Sequence, residues 1–244
     1  MTATIALVTL RGLFARRRIL LMLLLAAVPV AIGLLARLRG LPGDSAERTA
    51  DILELLVVRA VLPIVALVLG TAALGAELED GTAFHLLTRP VARWRIALGK
   101  VAAAAPTAAA IVVGSTLATG LLVGGERGSA PVTVAFAVAV AIGAVLYVLL
   151  FVALSVWTSR ALVVGLAYVI IWEGTLSGLF EGTKLLSIRE YTMAFAAALS
   201  PDGPIDATGG LEASTAAVAA VVVAVVAFGL TVRRLGRIEF ASGD

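Results

Sequence analysis

With 61% of its 244 residues hydrophobic, 14% charged and a mean hydropathy of +1.07, the chain lacks the polar surface of a water-soluble domain, in which roughly a quarter of residues are charged. The composition therefore indicates an integral membrane protein. The net charge of +3 comes from arginine, since Lys100 and Lys184 are the two lysines, and cysteine is absent. The bases flank apolar runs instead of forming one patch, which suits anionic lipid headgroups and argues against nucleic acid. Without cysteine there is no disulfide framework and no thiolate metal site.

The chain opens with a basic stretch ending in "ARRR". Residues 1–18 are expected to form an interfacial helix, with Ala6, Leu10, Leu13 and Phe14 on one side and Thr4, Arg11 and Arg18 on another. A cytoplasmic extension of the first span fits equally well. Six apolar runs follow: Ile19 to Ala36, Leu55 to Ala76, Val101 to Val123, Pro131 to Trp157, a fifth from Ala161 that is clean only to Trp172, and Ser214 to Val232. A bilayer core requires about 20 apolar residues in a helix, so the expectation is an all-α polytopic membrane protein with six transmembrane helices. The first run exceeds the roughly 7–15 residues of a secretory h-region and more spans follow it, so it is expected to be an uncleaved anchor.

Lysine and arginine set the orientation. With the N-terminus inside, the inner segments hold Arg11, Arg16, Arg17, Arg18, Arg89, Arg93, Arg95, Lys100, Arg160, Arg233, Arg234 and Arg237. The outer ones hold Arg37, Arg39, Arg48, Arg127, Lys184 and Arg189. Both termini are thus expected in the cytoplasm. The connection carrying Asp44, Glu47, Asp51 and Glu54 reads as a solvated external loop.

"ELEDGTAFHLLTRPVARWRIALGK", residues 77–100, breaks the apolar pattern and falls on the cytoplasmic side. His85 is the single histidine, so neither a zinc site nor a Ser-His-Asp arrangement has its parts here. A phosphate loop ending at "LGK" would require glycine where Trp94 stands and Ser or Thr where Val101 stands. Glu77, Glu79 and Asp80 suit the first turn of a helix, where negative charge complements the dipole. Asp80 or Thr82 can cap a short helix through Leu87; Arg89 before Pro90 bends the chain, and Pro90 opens a new helix. Arg93, Trp94 and Arg95 suit the headgroup level. The shape is a protruding elbow with an apolar tip of Phe84 and Leu87.

This block resembles the cytoplasmic loop of type-2 ABC transporter permeases. The pattern E-x-x-x-G-T, leucines, P-V-x-R and G-K falls on Glu77, Gly81, Thr82, Leu86, Leu87, Pro90, Val91, Arg93, Gly99 and Lys100. The six-span layout with a basic N-terminal helix agrees over the whole chain. The stretch "WEGTLSGLFEGTKLLSIREYT", 172–192, resembles the outer segment that follows the fifth span in bacterial members. The resemblance implies one transmembrane domain over 1–244 and a coupling helix within 77–100. Glu77, Gly81, Thr82, Phe84, Leu87, Pro90, Arg93 and Lys100 would engage a groove on a separate ABC ATPase subunit. It further implies a second permease chain, as a homodimer, a plasma-membrane location, and short re-entrant helices within 173–213. No cofactor is expected on this chain. A plain amphipathic loop lying on lipid is the alternative for the block.

On the outer side, Gly174, Gly178 and Gly182 recur every four residues. That spacing suits close helix approach or a loose glycine-rich helix end. The fifth helix is expected to stop near Trp172. Arg59 and Glu173 are the two charges nearest the membrane interior, and charges at similar depth are expected to pair or line a wet cavity. Such a pair would form an outer gate. Alternatively Arg59 snorkels to headgroups and Glu173 caps the next short helix. An ion-coupled secondary transporter is the rival function, though it needs ionisable groups in the spans that this sequence scarcely supplies. An intramembrane enzyme lacks a catalytic constellation.

Overall fold

The computed structural model describes residues 9, 16–40, 44–79, 92–124, 129–175, 181–205 and 210–238. They form helices α1 (Arg16–Leu38), α2 (Ser45–Ile52), α3 (Leu62–Glu79), α4 (Arg93–Gly124), α5 (Ala130–Trp157), α6 (Ala161–Ala167), α7 (Ile188–Leu199) and α8 (Ala213–Ile238). Two π-helical segments, Leu53–Val61 and Tyr168–Glu173, continue α2 into α3 and extend α6, and a 3-10 turn covers Glu181–Leu186. No strand occurs among the described residues.

Among the described residues five helices, not six, are long and apolar enough to cross a bilayer: Ile19–Leu38, Ser45–Leu74, Arg93–Gly124, Ala130–Trp157 and Ala213–Gly236. The fifth expected span falls short. The helix Ala161–Glu173 reaches at most about 20 Å at 1.5 Å per residue, against a hydrocarbon core of about 30 Å. The chain is a multi-pass helical membrane protein with one helix that stops partway.

Two boundaries move. Arg16 to Arg18 belong to the helix of the first span; Thr9 apart, the remainder of the expected interfacial helix lies outside the described residues. The supposed external loop before the second span is helical from Ser45. Asp44 caps it, accepting from the Ala46 amide at 3.1 Å, and Ala46, Thr49 and Ala50 are buried while Glu47 and Asp51 stay exposed. A polar outer face with a small-residue inner face reads as solvent-exposed by composition, yet it packs.

The first π segment has a local cause. Pro63 has no N–H, and its ring crowds the carbonyl four residues earlier, that of Arg59. The wider turn ends just before it, with the Leu62 amide bonding to the carbonyl of Val57, five residues back. Bonding five residues apart brings side chains at i and i+5 onto one face of the helix. Arg59 and Glu54 are such a pair, at 2.6 Å.

Helix α5 is the centre of the bundle, with Phe136, Tyr147 and Phe151 fully buried. It packs on α3, α4, α6, α7 and α8. Where α3 crosses it, a Cβ on Gly70 would fall 2.9 Å from the Phe151 Cβ and 3.3 Å from the Val148 carbonyl oxygen. Only glycine permits that approach. Ser115 on α4 donates to the Ala26 carbonyl on α1 at 2.6 Å. In contrast, α1 and α8 leave broad apolar faces uncovered, with Leu24 68% and Val225 66% exposed. Such faces suit lipid, which is as apolar as they are.

Candidate functional site

Two regions carry the polar groups that an apolar bundle has reason to keep. The first is its basic end, where α1, α4 and α6 begin and α3, α5 and α8 finish. Glu77 lies in the last turns of α3 and Arg93 opens α4, and these two helices pack together. The expected coupling block therefore leaves and re-enters the bundle at one place. Gly81, Thr82, Phe84, Leu87 and Pro90, together with His85, lie outside the described residues. Lys100 does not close the block at the surface: it lies two turns inside α4 and is 1% exposed. Around it, Trp94 is half-exposed with the Arg95 guanidinium 5.2 Å over its ring. Trp157 at the end of α5 holds Arg234 of α8 at 5.6 Å. Aromatic rings stacked with arginine at one end of the spans are interface anchors.

The second region surrounds Glu173. The carboxylate is 4% exposed. One oxygen accepts from the Tyr168 hydroxyl at 2.9 Å and from the Ile188 amide at 3.0 Å; the other accepts from the Ser187 hydroxyl at 2.5 Å. The phenols of Tyr147, Tyr168 and Tyr191 all lie within its electrostatic reach. The buried Tyr147 hydroxyl interacts with the Glu173 carboxylate without a hydrogen bond of good geometry among the described residues.

Neighbouring bonds fasten the same junction. The Arg189 guanidinium donates to the Glu173 carbonyl at 3.3 Å and bridges to Glu190 at 2.8 Å. The Trp172 indole donates to the Leu186 carbonyl at 3.2 Å, and the Tyr191 hydroxyl donates to that of Leu185.

Depth follows from what α7 touches. A Cβ on Gly143 would lie 2.6 Å from the Thr192 hydroxyl and 3.0 Å from Leu62, and Gly143 stands at the midpoint of α5. The first turns of α7 therefore sit beside the middle of a spanning helix. Glu173 meets the very start of α7, so its charge lies deep in the bundle.

Of the two readings of Arg59 and Glu173, the pair is not formed, whereas the alternative for Glu173, a cap on the next short helix, is what the geometry has. The partner of Arg59 is Glu54 at 2.6 Å, with the arginine side chain 46% exposed, while Glu173 holds the start of α7. The shared i, i+5 face of the first π segment gives Arg59 a partner on its own helix. Ser187, Tyr168 and Tyr147 were not among the predicted site residues. A signal for Ser187 existed: "SIRE", 187–190, is a capping box, and the Glu190 amide does donate to the Ser187 hydroxyl at 3.2 Å. Among the described residues, no three His, Cys, Asp or Glu side chains gather as a metal site.

The fifth helix ends at Glu173, close to the stop near Trp172 that the sequence suggested. A family model described as "ABC-2 family transporter protein" matches residues 14–173, from the start of α1 through Glu173. The chain belongs to this family. No curated relative matches it. ABC-2 membership makes the chain an ABC permease, the membrane-embedded transport subunit, and it implies partnership with an ABC ATPase subunit. The match includes the whole elbow and both helices that frame it.

Proposed function

We propose that the protein is the permease of an ATP-driven exporter. Two copies enclose the cargo path, and each docks one ATPase through residues 77–100. The observation that carries this reading is the family match, whose residues 14–173 include α3, the polar block and α4, with α3 and α4 packed together. In this reading the basic end faces the cytoplasm at the plasma membrane and both termini lie inside. Arg59 and Glu173 then lie towards the outer side, where they form two separate parts of the outer closure. Within the elbow, Glu77, Gly81, Thr82, Phe84, Leu87, Pro90, Arg93 and Lys100 form and brace the docking surface.

Phe84→Ala tests the docking. Phe84 is the largest apolar group of the elbow tip, and truncating an interface anchor costs roughly 2 kcal/mol or more, about a thirtyfold loss of affinity. Co-purification of the ATPase encoded with this chain is expected to fall while membrane insertion stays normal. Unchanged co-purification and transport would move the docking site elsewhere. Inhibition of transport by vanadate, and not by an uncoupler, separates ATP drive from ion coupling.

A further inference from the structure

We propose that Glu173 is a positioning residue. Its carboxylate, brought round by the second π segment, pins the N-terminus of α7 beside the middle of α5 and keeps the outer half of the path closed. The link to transport rests on the permease reading above; the pinning itself does not.

The π turn supplies the aim. In an α-helix residues five apart point about 140° away from each other, whereas bonding five residues apart brings them onto one face. Tyr168 and Glu173 are such a pair, hydrogen-bonded at 2.9 Å, and the Gly174 amide reaches the Val169 carbonyl five residues back at 3.1 Å. Reversion of this segment to α geometry would swing Glu173 about 100° around the helix axis, one residue's worth of rotation, and carry it off α7.

The other half of the argument is what α7 lacks without this carboxylate. At 12 residues it is too short to be stable alone or to span. A helix that begins among apolar side chains leaves its first amides unpaired, which a dry interior penalises heavily. Ser187 satisfies Glu190, and Glu173 satisfies Ile188 and Ser187. The negative charge also sits at the positive end of the helix dipole, where low polarity strengthens the attraction. The Glu173 carboxylate thereby joins the fifth helix to the start of α7, beside the bonds of Trp172 and Arg189, and Thr192, wedged at Gly143, is fully buried.

The absence of native cysteine allows a direct test in membranes containing the full chain with its ATPase. Thr192→Cys reports opening from the outer side through a membrane-impermeant maleimide, and Ala105→Cys, buried in α4, reports global loosening. Thr192→Cys is expected to be protected when Glu173 is present. Glu173→Ala should speed its labelling about ten- to a hundredfold, the range for losing a charge-assisted hydrogen bond, while Ala105→Cys stays protected. Should Glu173→Ala fail to accumulate, Ser187→Ala, which removes one of the three donors, is expected to speed labelling several-fold. Native labelling rates in whichever variant is recovered would overturn the proposal. So would labelling of Ala105→Cys that rises in step. Retention of the ATPase by the native chain, measured separately, judges the permease reading without touching this one.

Discussion

Gly120→Ala and Gly114→Ala, two identical substitutions in one helix, should act in opposite directions. Both glycines lie in α4, and in a helix interior alanine is favoured over glycine by roughly 0.5–1 kcal/mol. At Gly114 the new methyl meets nothing within 4 Å, so that gain should appear undiminished. At Gly120 the methyl lands on Thr133 of α5, inside contact distance of both its Oγ1 and Cγ2 and 2.8 Å from its Cβ. A rotation of Thr133 would move the first two atoms but not the third. It would also break the bond from the Thr133 hydroxyl to the Ser129 carbonyl at 2.9 Å. The helices must therefore part, and overpacking of this kind costs about 1–3 kcal/mol.

The propensity gain is common to both variants and cancels between them. What remains is a gap of about 1–3 kcal/mol, with Gly114→Ala the more stable. Thermal unfolding of the two purified variants in one detergent, followed by scattering or tryptophan fluorescence, measures it. A Gly120→Ala protein as stable as Gly114→Ala would refute the close approach of α4 to α5.

Ser115→Ala removes the bond that ties α4 to α1 and should lower stability by about 0.6–1.7 kcal/mol, the range for interhelical hydrogen bonds in membranes, in the same assay. Tyr147→Phe deletes a buried hydroxyl that faces Glu173 but makes no hydrogen bond of good geometry among the described residues. It should therefore be neutral or stabilising by up to about 1–3 kcal/mol, and a clear loss would assign that hydroxyl a bond. Arg59→Gln should cost no more than about 1 kcal/mol, since its pair with Glu54 is partly exposed. Combined with Glu173→Gln it should be additive within about 0.5 kcal/mol; coupling beyond that would restore the cross-helix pair that the geometry rejects.

Hydropathy alone located every long helix, because an apolar run of about 20 residues has few other places to fold. It failed where side chains were polar for structural reasons. Asp44, Glu47, Asp51 and Glu54 made residues 44–54 look like a loop, yet alanine and threonine on the other face gave α2 a packing surface that polarity counts do not register. The elbow was recognised from its motif and not from any physical periodicity. That is why the family match confirms the class of protein while Phe84 and Leu87 still await the docking experiment.

For Glu173 the sequence offered two readings, a pair with Arg59 and a cap on the next short helix, and counting residues could not choose between them. Two opposite charges at similar depth are expected to attract, and depth was estimated by counting residues at α-helical spacing. Both charges lie in π segments, where that count fails. Pro63 was visible and offered a cause for the first wide turn, since its missing amide frees a carbonyl four residues earlier. The second has no proline; beside the local bond from Tyr168 to Glu173, tertiary bonds from Ser187 and Ile188 hold that carboxylate, which no local rule encodes. Glu173 is the last residue of the fifth helix and accepts from the first amide of α7, so the end of the short span and the start of the half-helix meet at one carboxylate, and the labelling of Thr192→Cys in Glu173→Ala measures how far the second depends on it.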